Sequence, residues 1–207
     1  MLASMSATEW SDVDMAELLP TGTVTLLLAD VEGSTQLWES QPAAMTAAVA
    51  LLNYTASEVI AKHDGARPVE QGEGDSFVAA FARAGDAVAC ALELQRTDLA
   101  PIRLRIGVHT GDVQLRNEGN YAGPTINKTA RLRDLAHGGQ TVLSGVTEEL
   151  VEDQLPGDAW LTDLGRQHYA TSPAPFAFRS CVIPTFATTS LPCGRRTPPP
   201  LITFRRS

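Results

Sequence analysis

The spacing of apolar residues changes along the first half of the chain and predicts a strand, two helices and a second strand pair. Residues 23–29 (TVTLLLA) are apolar on both faces, as expected of a central strand. Apolar residues then recur at helical spacing over residues 43–63, and Gly65 follows as a stop. Residues 84–95 show a second amphipathic pattern. The chain is therefore predicted to begin with a buried strand followed by a long helix.

Glycines and alternating residues indicate further strands. A strand near residues 67–70 leads through a glycine-containing turn, residues 71–74, into residues 75–81, and this arrangement is typical of a hairpin. Residues 103–109 alternate apolar with polar side chains, which predicts a strand with one buried face. Gly107 and Gly111 interrupt that strand and would allow another segment to approach closely.

The remainder of the chain divides into a structured part and a segment without periodicity. A helix is predicted from Pro124 to about Ala136, and then, in order, a strand, a helix and a strand over residues 140–143, 147–152 and 160–164. Residues 169–207 are rich in Pro, Thr, Ser and Arg, and we predict an irregular tail there, as over residues 1–21. Residues 22–168 would form one α+β domain, a ferredoxin-like sandwich with a mainly antiparallel sheet covered by helices.

Composition narrows the classes of partner. The 207 residues are 43% hydrophobic and 19% charged, as in ordinary globular domains. A net charge of -8 argues against nucleic acid as a partner, whereas a nucleotide can be neutralised by metal ions that carboxylates hold. No apolar run is long enough to predict a membrane span, and the N-terminus shows no signal pattern, so we expect a cytoplasmic protein with no membrane partner.

Two aspartates are the first candidates for chemistry. Asp30 ends the buried first strand, and Asp75 lies just inside the strand that follows the glycine turn. Alone, each is more commonly a turn or cap residue than a metal ligand. Together, on adjacent strands, they would form an acidic pocket at one edge of the sheet. The turn Gly33-Ser34-Thr35 beside Asp30 opens a helix and could offer backbone N–H groups to phosphate oxygens.

Asn127 and Arg131 form a second candidate pair. They are four residues apart on one predicted helix, so they project from the same face. An amide beside a guanidinium suits recognition of ribose and phosphate as charge moves during a reaction. The alternative is a solvated helix face on which Arg131 pairs with Asp134.

Four segments together resemble the catalytic domain of class III adenylyl and guanylyl cyclases. TVTLLLADVEGSTQLWE is similar to the family's first strand and metal-binding turn, and GEGDSFVAAF to its second metal hairpin. RLRIGVHTGDV is similar to the strand that follows, and YAGPTINKTARLRDLAHGGQTVLS to the helix that stabilises the transition state. The four segments occur in the family's order and cover most of residues 22–145, which makes the resemblance specific.

The resemblance implies a reaction and a set of roles. The reaction is attack of the ribose 3′-hydroxyl of ATP on the α-phosphate, which gives 3′,5′-cyclic AMP and pyrophosphate. Two divalent ions, Mg²⁺ or Mn²⁺, would be held by Asp30, Asp75 and the Val31 carbonyl. Asn127 would position the ribose and Arg131 would stabilise charge on the α-phosphate. In this family the last two residues come from the opposite subunit, which implies a homodimer with active sites at the interface.

The sequence departs from the family pattern at three places. Gln71 and Asn120 stand where adenylyl cyclases have a lysine and an aspartate that read the base. An amide pair can bond in either orientation, so we expect ATP to be preferred over GTP only weakly. No lysine follows Lys128, although the family has a late lysine that binds the triphosphate. The closing strand of the family is not evident after Tyr169.

These observations leave three hypotheses. The first is an active nucleotidyl cyclase in bacterial intracellular signalling. The second is a catalytically degenerate cyclase-like domain that binds nucleotide, or only dimerises, as a regulatory module. The missing lysine and the altered C-terminal segment favour the degenerate domain, whereas the complete set of Asp30, Asp75, Asn127 and Arg131 favours the enzyme. The third, another two-metal phosphotransferase, fits the aspartates but not the four ordered segments.

Overall fold

The structure, a computed structural model, describes residues 19–68, 74–116, 119–167 and 176–182. The strands are β1 (Thr23–Val31), β2 (Ser76–Phe81), β3 (Leu104–Asp112), β4 (Gln114–Arg116), β5 (Asn120–Ala122), β6 (Gln140–Ser144), β7 (Trp160–Gln167) and β8 (Phe176–Val182). The helices are α1 (Ser34–Ser40), α2 (Pro42–Lys62), α3 (Ala84–Arg96), α4 (Pro124–Leu135) and α5 (Gly145–Val151), and a 3₁₀ turn (Glu152–Gln154) follows α5.

Within the described residues, the main sheet has six strands in the order β2-β1-β3-β6-β8-β7, and only β3 and β6 are parallel neighbours. Helix α4 lies between β3 and β6 in the chain, as a parallel connection requires. After α2, Ala66 makes an antiparallel bridge to Ala80 on the outer side of β2. The spatial order β3, β1, β2, Ala66 is that of a ferredoxin-like motif. The predicted α+β fold with a mainly antiparallel sheet is therefore confirmed.

Helices cover both faces of the sheet, which explains why β1 is apolar throughout. Leu27 and Ala29 point into the larger core, which also contains the buried residues of α2 and α3. Leu26 and Leu28 point to the other face and pack with Tyr121 of β5. Because side chains alternate along a strand, Asp30 projects from the same face as Leu26 and Leu28. That is the face on which α4 lies, since Ile126 and Ala130 of α4 pack against this second cluster.

Helix α4 lies directly on β3 at Gly107. A Cβ atom at Gly107 would stand 2.3 Å from the backbone nitrogen of Arg133 and 2.6 Å from the carbonyl oxygen of Thr129. No side chain can move aside to relieve such a contact, because both atoms belong to the helix backbone. Glycine at this position therefore fixes how closely α4 approaches the sheet, as its place in the predicted strand suggested.

Helix α2 is long and apolar enough, by length and composition, to cross a membrane, the one such helix in the described part of the chain. Its buried residues recur at helical spacing and pack in the larger core under β1: Met45, Ala48, Leu52, Ala56, Val59 and Ile60. Packing against the sheet accounts for the apolar residues of this buried face, and the buried share of the apolar window is 33%.

The C-terminal prediction is wrong for residues 176–182. They form β8, which pairs antiparallel with both β6 and β7 in the main sheet, so a closing strand is present within the segment predicted as irregular. Strand β8 was not predicted from the sequence, because the flanking Pro, Thr and Ser residues interrupt any periodic pattern. Residues 67–68 form no strand, in contrast to the strand predicted near residues 67–70. Residues 69–73, which comprise the rest of that predicted strand and most of the predicted turn, lie outside the described residues.

Candidate active site

The register of the sheet places Asp30 between two polar neighbours. Asp30 stands opposite Ser76 of β2 on one side and opposite Arg105 of β3 on the other. Residues directly opposite in an antiparallel pair share a face and lie close together. The Arg105 side chain accordingly donates from Nε to Oδ1 of Asp30 at 2.8 Å and from Nη2 to Oδ2 at 2.5 Å. Both oxygens of the Asp30 carboxylate are thus bonded to one guanidinium.

A second arginine reaches the same carboxylate from α4. Nε of Arg133 lies 3.5 Å from Oδ2 of Asp30, and Nη2 of Arg133 also lies 2.7 Å from Oδ1 of Asp134. The Arg133 side chain is 23% exposed and that of Asp30 only 16%. Because Asp30, Arg105 and Arg133 are partly buried, their charges interact more strongly than those of a fully exposed ion pair. Two guanidinium groups therefore lie at the Asp30 carboxylate.

The pKa of Arg105 is raised above its ordinary value, chiefly by the hydrogen bonds to Asp30 and also by the negative charges of Asp30, Asp134 and Glu32. Partial burial acts in the opposite direction, but less strongly. The Arg105 guanidinium consequently stays charged at every pH at which the protein would be assayed.

These groups line an open cleft of about 410 Å³ at the end of β1 and the start of β2. Its lining consists of two carboxylates, two guanidinium groups, the turn before α1 and neighbouring residues: Asp30, Val31, Gly33, Ser34, Thr35, Asp75, Ser76, Arg105 and Arg133. The structure thus brings together the predicted metal residues Asp30, Val31 and Asp75 with the predicted phosphate turn. The roles of these residues stay predictions.

A glycine forms the turn before α1. Gly33 is the N-cap residue, and no side chain caps the helix. Gly33 has a φ of 64°, in the left-handed region that glycine adopts without strain. Ser34 and Thr35, the first two residues of α1, line the cleft.

The donor set of the cleft fits a divalent ion that keeps part of its coordination for other ligands. Within the described residues, no group of three or more His, Cys, Asp or Glu side chains could enclose a metal ion. Mg²⁺ is commonly bound through one or two carboxylates, with water and substrate phosphates completing an octahedron. Asp30 and Asp75, with the Val31 carbonyl beside them, provide such a partial set.

Asn127 and Arg131 lie elsewhere. Both are on α4, where Asn127 is exposed and Arg131 is half-buried, but neither lines the cleft that Arg133 enters. Arg131 and Arg133 are two positions apart, with Leu132 between them, which places their side chains on nearly opposite sides of the helix. One chain therefore presents its carboxylates at one place and its predicted transition-state pair at another.

The predicted base-reading pair is described only in part. Asn120 is half-buried in β5 and stands opposite Arg116 in the two-stranded sheet of β4 and β5. It does not line the cleft. Gln71 lies outside the described residues, so its relation to Asn120 stays a prediction.

His109 is buried and has a structural role. Its Nδ1 lies 2.8 Å from the Ser144 hydroxyl, which in turn contacts the hydroxyl of Thr147 at 2.9 Å. Burial, followed by the nearby charge of Lys128, lowers the pKa of His109 to about 4. The ring is consequently neutral near pH 7 and joins β3 to α5 rather than lining the cleft.

Sequence reasoning missed the two arginines of the cleft. The alternation of β3 indicated that Arg105 lies on the less apolar face, but only the register shows that this face holds Asp30. The heptapeptide ARLRDLA shows Arg133 two residues after Arg131, and the approach of α4 at Gly107 is what directs it to the cleft. Carboxylates and guanidinium groups are the side chains that commonly bind divalent ions and phosphates, respectively.

Comparison with known proteins identifies the family of this chain. The family described as the adenylate and guanylate cyclase catalytic domain matches residues 17–163, and the chain belongs to that family. It is 65% identical over 163 residues to the uncharacterised protein Rv0891c of Mycobacterium tuberculosis, a match that covers 79% of this chain and 57% of the relative. The chain thus spans little more than half the length of that relative.

Solved structures share the fold at lower identity. An adenylate cyclase from Trypanosoma brucei, in its monomeric state, superposes with a TM-score of 0.70 at 23% identity and covers 82% of this chain and 94% of its own. The guanylyl cyclase Cya2 gives a TM-score of 0.65 at 21% identity, with 79% of this chain and 95% of its own covered. Sequence identities of 21–23% support the shared fold alone. The solved structures with this fold include both an adenylate cyclase and a guanylyl cyclase.

Proposed function

We propose that the protein converts ATP into 3′,5′-cyclic AMP and pyrophosphate. The observation that carries this proposal is the cleft in which Asp30 and Asp75 meet Arg105 and Arg133 at the strand ends. In the reaction the 3′-hydroxyl oxygen bonds to the α-phosphorus and loses its proton, while the bond from that phosphorus to the bridging oxygen breaks and pyrophosphate leaves. Bound divalent ions would lower the pKa of the hydroxyl and neutralise the phosphates.

The residues of the cleft would bind and orient the polyphosphate. Asp30, Asp75 and the Val31 carbonyl would hold the divalent ions, and Gly33, Ser34 and Thr35 would bind phosphate oxygens. The Arg105 guanidinium, which stays charged, supplies a cation for the leaving pyrophosphate. It offsets part of the phosphate charge that the late lysine of the family would otherwise bind.

The transition-state residues would come from a second copy of the chain. Asn127 and Arg131 do not line their own cleft, so a site containing them and both aspartates needs two copies. A head-to-tail homodimer would place Asn127 beside the ribose and Arg131 beside the α-phosphate at each of two interface sites.

Cyclic AMP formation tests the reaction directly. Purified protein with Mn²⁺ and ATP is expected to form cyclic AMP, detected by liquid chromatography and mass spectrometry. Asp75→Asn removes a half-buried carboxylate from the turn before β2 and should lower the rate by about 100-fold or more, since metal and phosphate positioning are lost together. Asp153→Asn, an exposed carboxylate outside the cleft, is the matched control and should keep the wild-type rate. Equal background rates for wild type and Asp75→Asn would refute the enzyme.

Base preference is expected to be weak. Gln71 and Asn120 are both neutral amides, so the pair can present donors or acceptors to either purine. We expect the kcat/KM for GTP to lie within about tenfold of that for ATP. Asn120→Asp provides a fixed acceptor for the adenine amino group and should raise the ratio of ATP to GTP turnover by about tenfold. Strict rejection of GTP by the wild-type protein would contradict this expectation.

The second hypothesis, a domain that binds nucleotide or dimerises without catalysis, is favoured by one observation. No lysine follows Lys128, so the late phosphate cation of the family is missing. If the protein forms no cyclic nucleotide, binding of a nucleotide analogue, measured by calorimetry, separates a nucleotide-binding module from a dimerisation module.

A further inference from the structure

Both oxygens of the Asp30 carboxylate contact guanidinium groups. Arg105 bonds Oδ1 at 2.8 Å and Oδ2 at 2.5 Å, and Nε of Arg133 lies 3.5 Å from the same Oδ2. A divalent ion that approaches Oδ2 would therefore meet two guanidinium groups. Like charges at such distances in a partly buried cluster repel strongly, so a free ion is disfavoured there.

A polyphosphate changes this balance. Its negative oxygens can accept hydrogen bonds from both guanidinium groups while a divalent ion takes their place on Asp30. Every charge in the cleft then keeps a partner of opposite sign. Arginine suits such an exchange, because its planar group binds carboxylates and phosphates with the same paired geometry.

Arg133 is placed to make this exchange from a fixed backbone. Its backbone nitrogen packs over Gly107, so the base of the side chain is fixed against β3. Its other contact, 2.7 Å from Nη2 to Asp134, lies at a carboxylate that is 58% exposed, on the solvent side of the cluster. The long side chain can therefore leave Asp30 without leaving the cleft.

We propose that Arg133 is a substrate-positioning residue, which contacts Asp30 and moves to the polyphosphate when a divalent ion takes that carboxylate. This proposal rests on the proposed function and deepens it. Metal ion and polyphosphate then bind with positive coupling, each strengthening the other by the same factor. Arg133 also supplies a phosphate cation from the chain's own α4, in a sequence that has no lysine after Lys128.

The coupling is measurable without turnover. Mn²⁺ binding to the full chain is titrated by electron paramagnetic resonance, with and without the non-cyclising analogue adenosine 5′-(α,β-methylene)triphosphate. In the wild type we expect the analogue to raise the Mn²⁺ affinity. Arg133→Gln should bind free Mn²⁺ about threefold to tenfold more tightly and the Mn²⁺-loaded analogue about tenfold more weakly, so that the coupling factor falls.

Two further variants complete the test. Arg96→Gln removes an arginine that pairs with Asp158 at 2.7 Å, outside the cleft, and should leave both affinities at the wild-type values. Arg133→Lys keeps the charge and should restore most of the coupling, which a merely structural role in the helix would not require. Circular dichroism establishes that each variant is folded.

The outcomes separate this proposal from the proposed function. An unchanged coupling factor in a folded Arg133→Gln protein, or a weaker affinity for free Mn²⁺, would overturn the exchange. If the expected shifts occur but the wild type forms no cyclic nucleotide, the exchange at Arg133 stands and the cyclase activity is refuted.

Discussion

Mixing an Asp75→Asn chain with an Arg131→Ala chain is expected to restore cyclic nucleotide synthesis that neither variant shows alone. Each variant by itself should lose about 100-fold or more in rate, because one lacks a carboxylate of the cleft and the other the predicted transition-state cation. In a mixed head-to-tail dimer, one of the two sites combines the intact Asp75 of one chain with the intact Arg131 of the other. Random exchange of subunits should return about a quarter of the wild-type activity.

Complementation is expected because Asp75 and Arg131 are separated within one chain. Asp75 lines the cleft at the start of β2, whereas Arg131 lies on a side of α4 nearly opposite to Arg133, the residue that enters the cleft. Asp75 is the better choice than Asp30 for this experiment. Removing the charge of Asp30 would also release Arg105 and Arg133, whereas Asp75 is a half-buried residue of the turn before β2.

A mixture of two differently tagged Asp75→Asn chains serves as the control and should stay inactive. Rates are measured after exchange at several total protein concentrations, since activity that depends on a dimer falls on dilution. Failure of complementation, with mixed dimers demonstrated by pull-down of the two tags, would contradict the interface site.

Gly107→Ala is expected to cost about 3 kcal/mol of the free energy of unfolding and to abolish activity. The added Cβ would stand 2.3 Å from the Arg133 nitrogen and 2.6 Å from the Thr129 oxygen, so α4 must move away from β3. That helix carries Asn127, Arg131 and Arg133, and its displacement would move all three. Urea unfolding followed by circular dichroism gives the stability, and cyclic AMP formation at a temperature where the variant is folded gives the activity.

Gly157→Ala is the matched control, because nothing lies within 4 Å of its Cβ position and its φ is outside the left-handed region. Its free energy of unfolding should stay within about 0.5 kcal/mol of the wild type. A Gly107→Ala protein that unfolds at the wild-type urea concentration would show that α4 does not depend on this contact.

The local pattern predicted most of the elements, because helix and strand periodicity follow from which side chains must be buried. The long helix predicted over residues 43–63 is α2 (Pro42–Lys62), and the helix predicted after Pro124 is α4 (Pro124–Leu135). Strand β8 was not predicted, because its position depends on pairing with other strands. Its partner β6 is distant in the chain, and a segment without periodicity separates it from its partner β7.

By itself, the sequence determined the α+β fold class, the order of the elements and the four segments that mark the cyclase family. Those features are local, being set by burial periodicity, glycine placement and motif spacing. Only the tertiary structure decided which charges meet. Sheet register placed Arg105 opposite Asp30, and the approach of α4 at Gly107 brought Arg133 to the same carboxylate, while Arg131 was directed away. Such pairings depend on contacts between residues far apart in the chain, which residue spacing along the sequence does not encode.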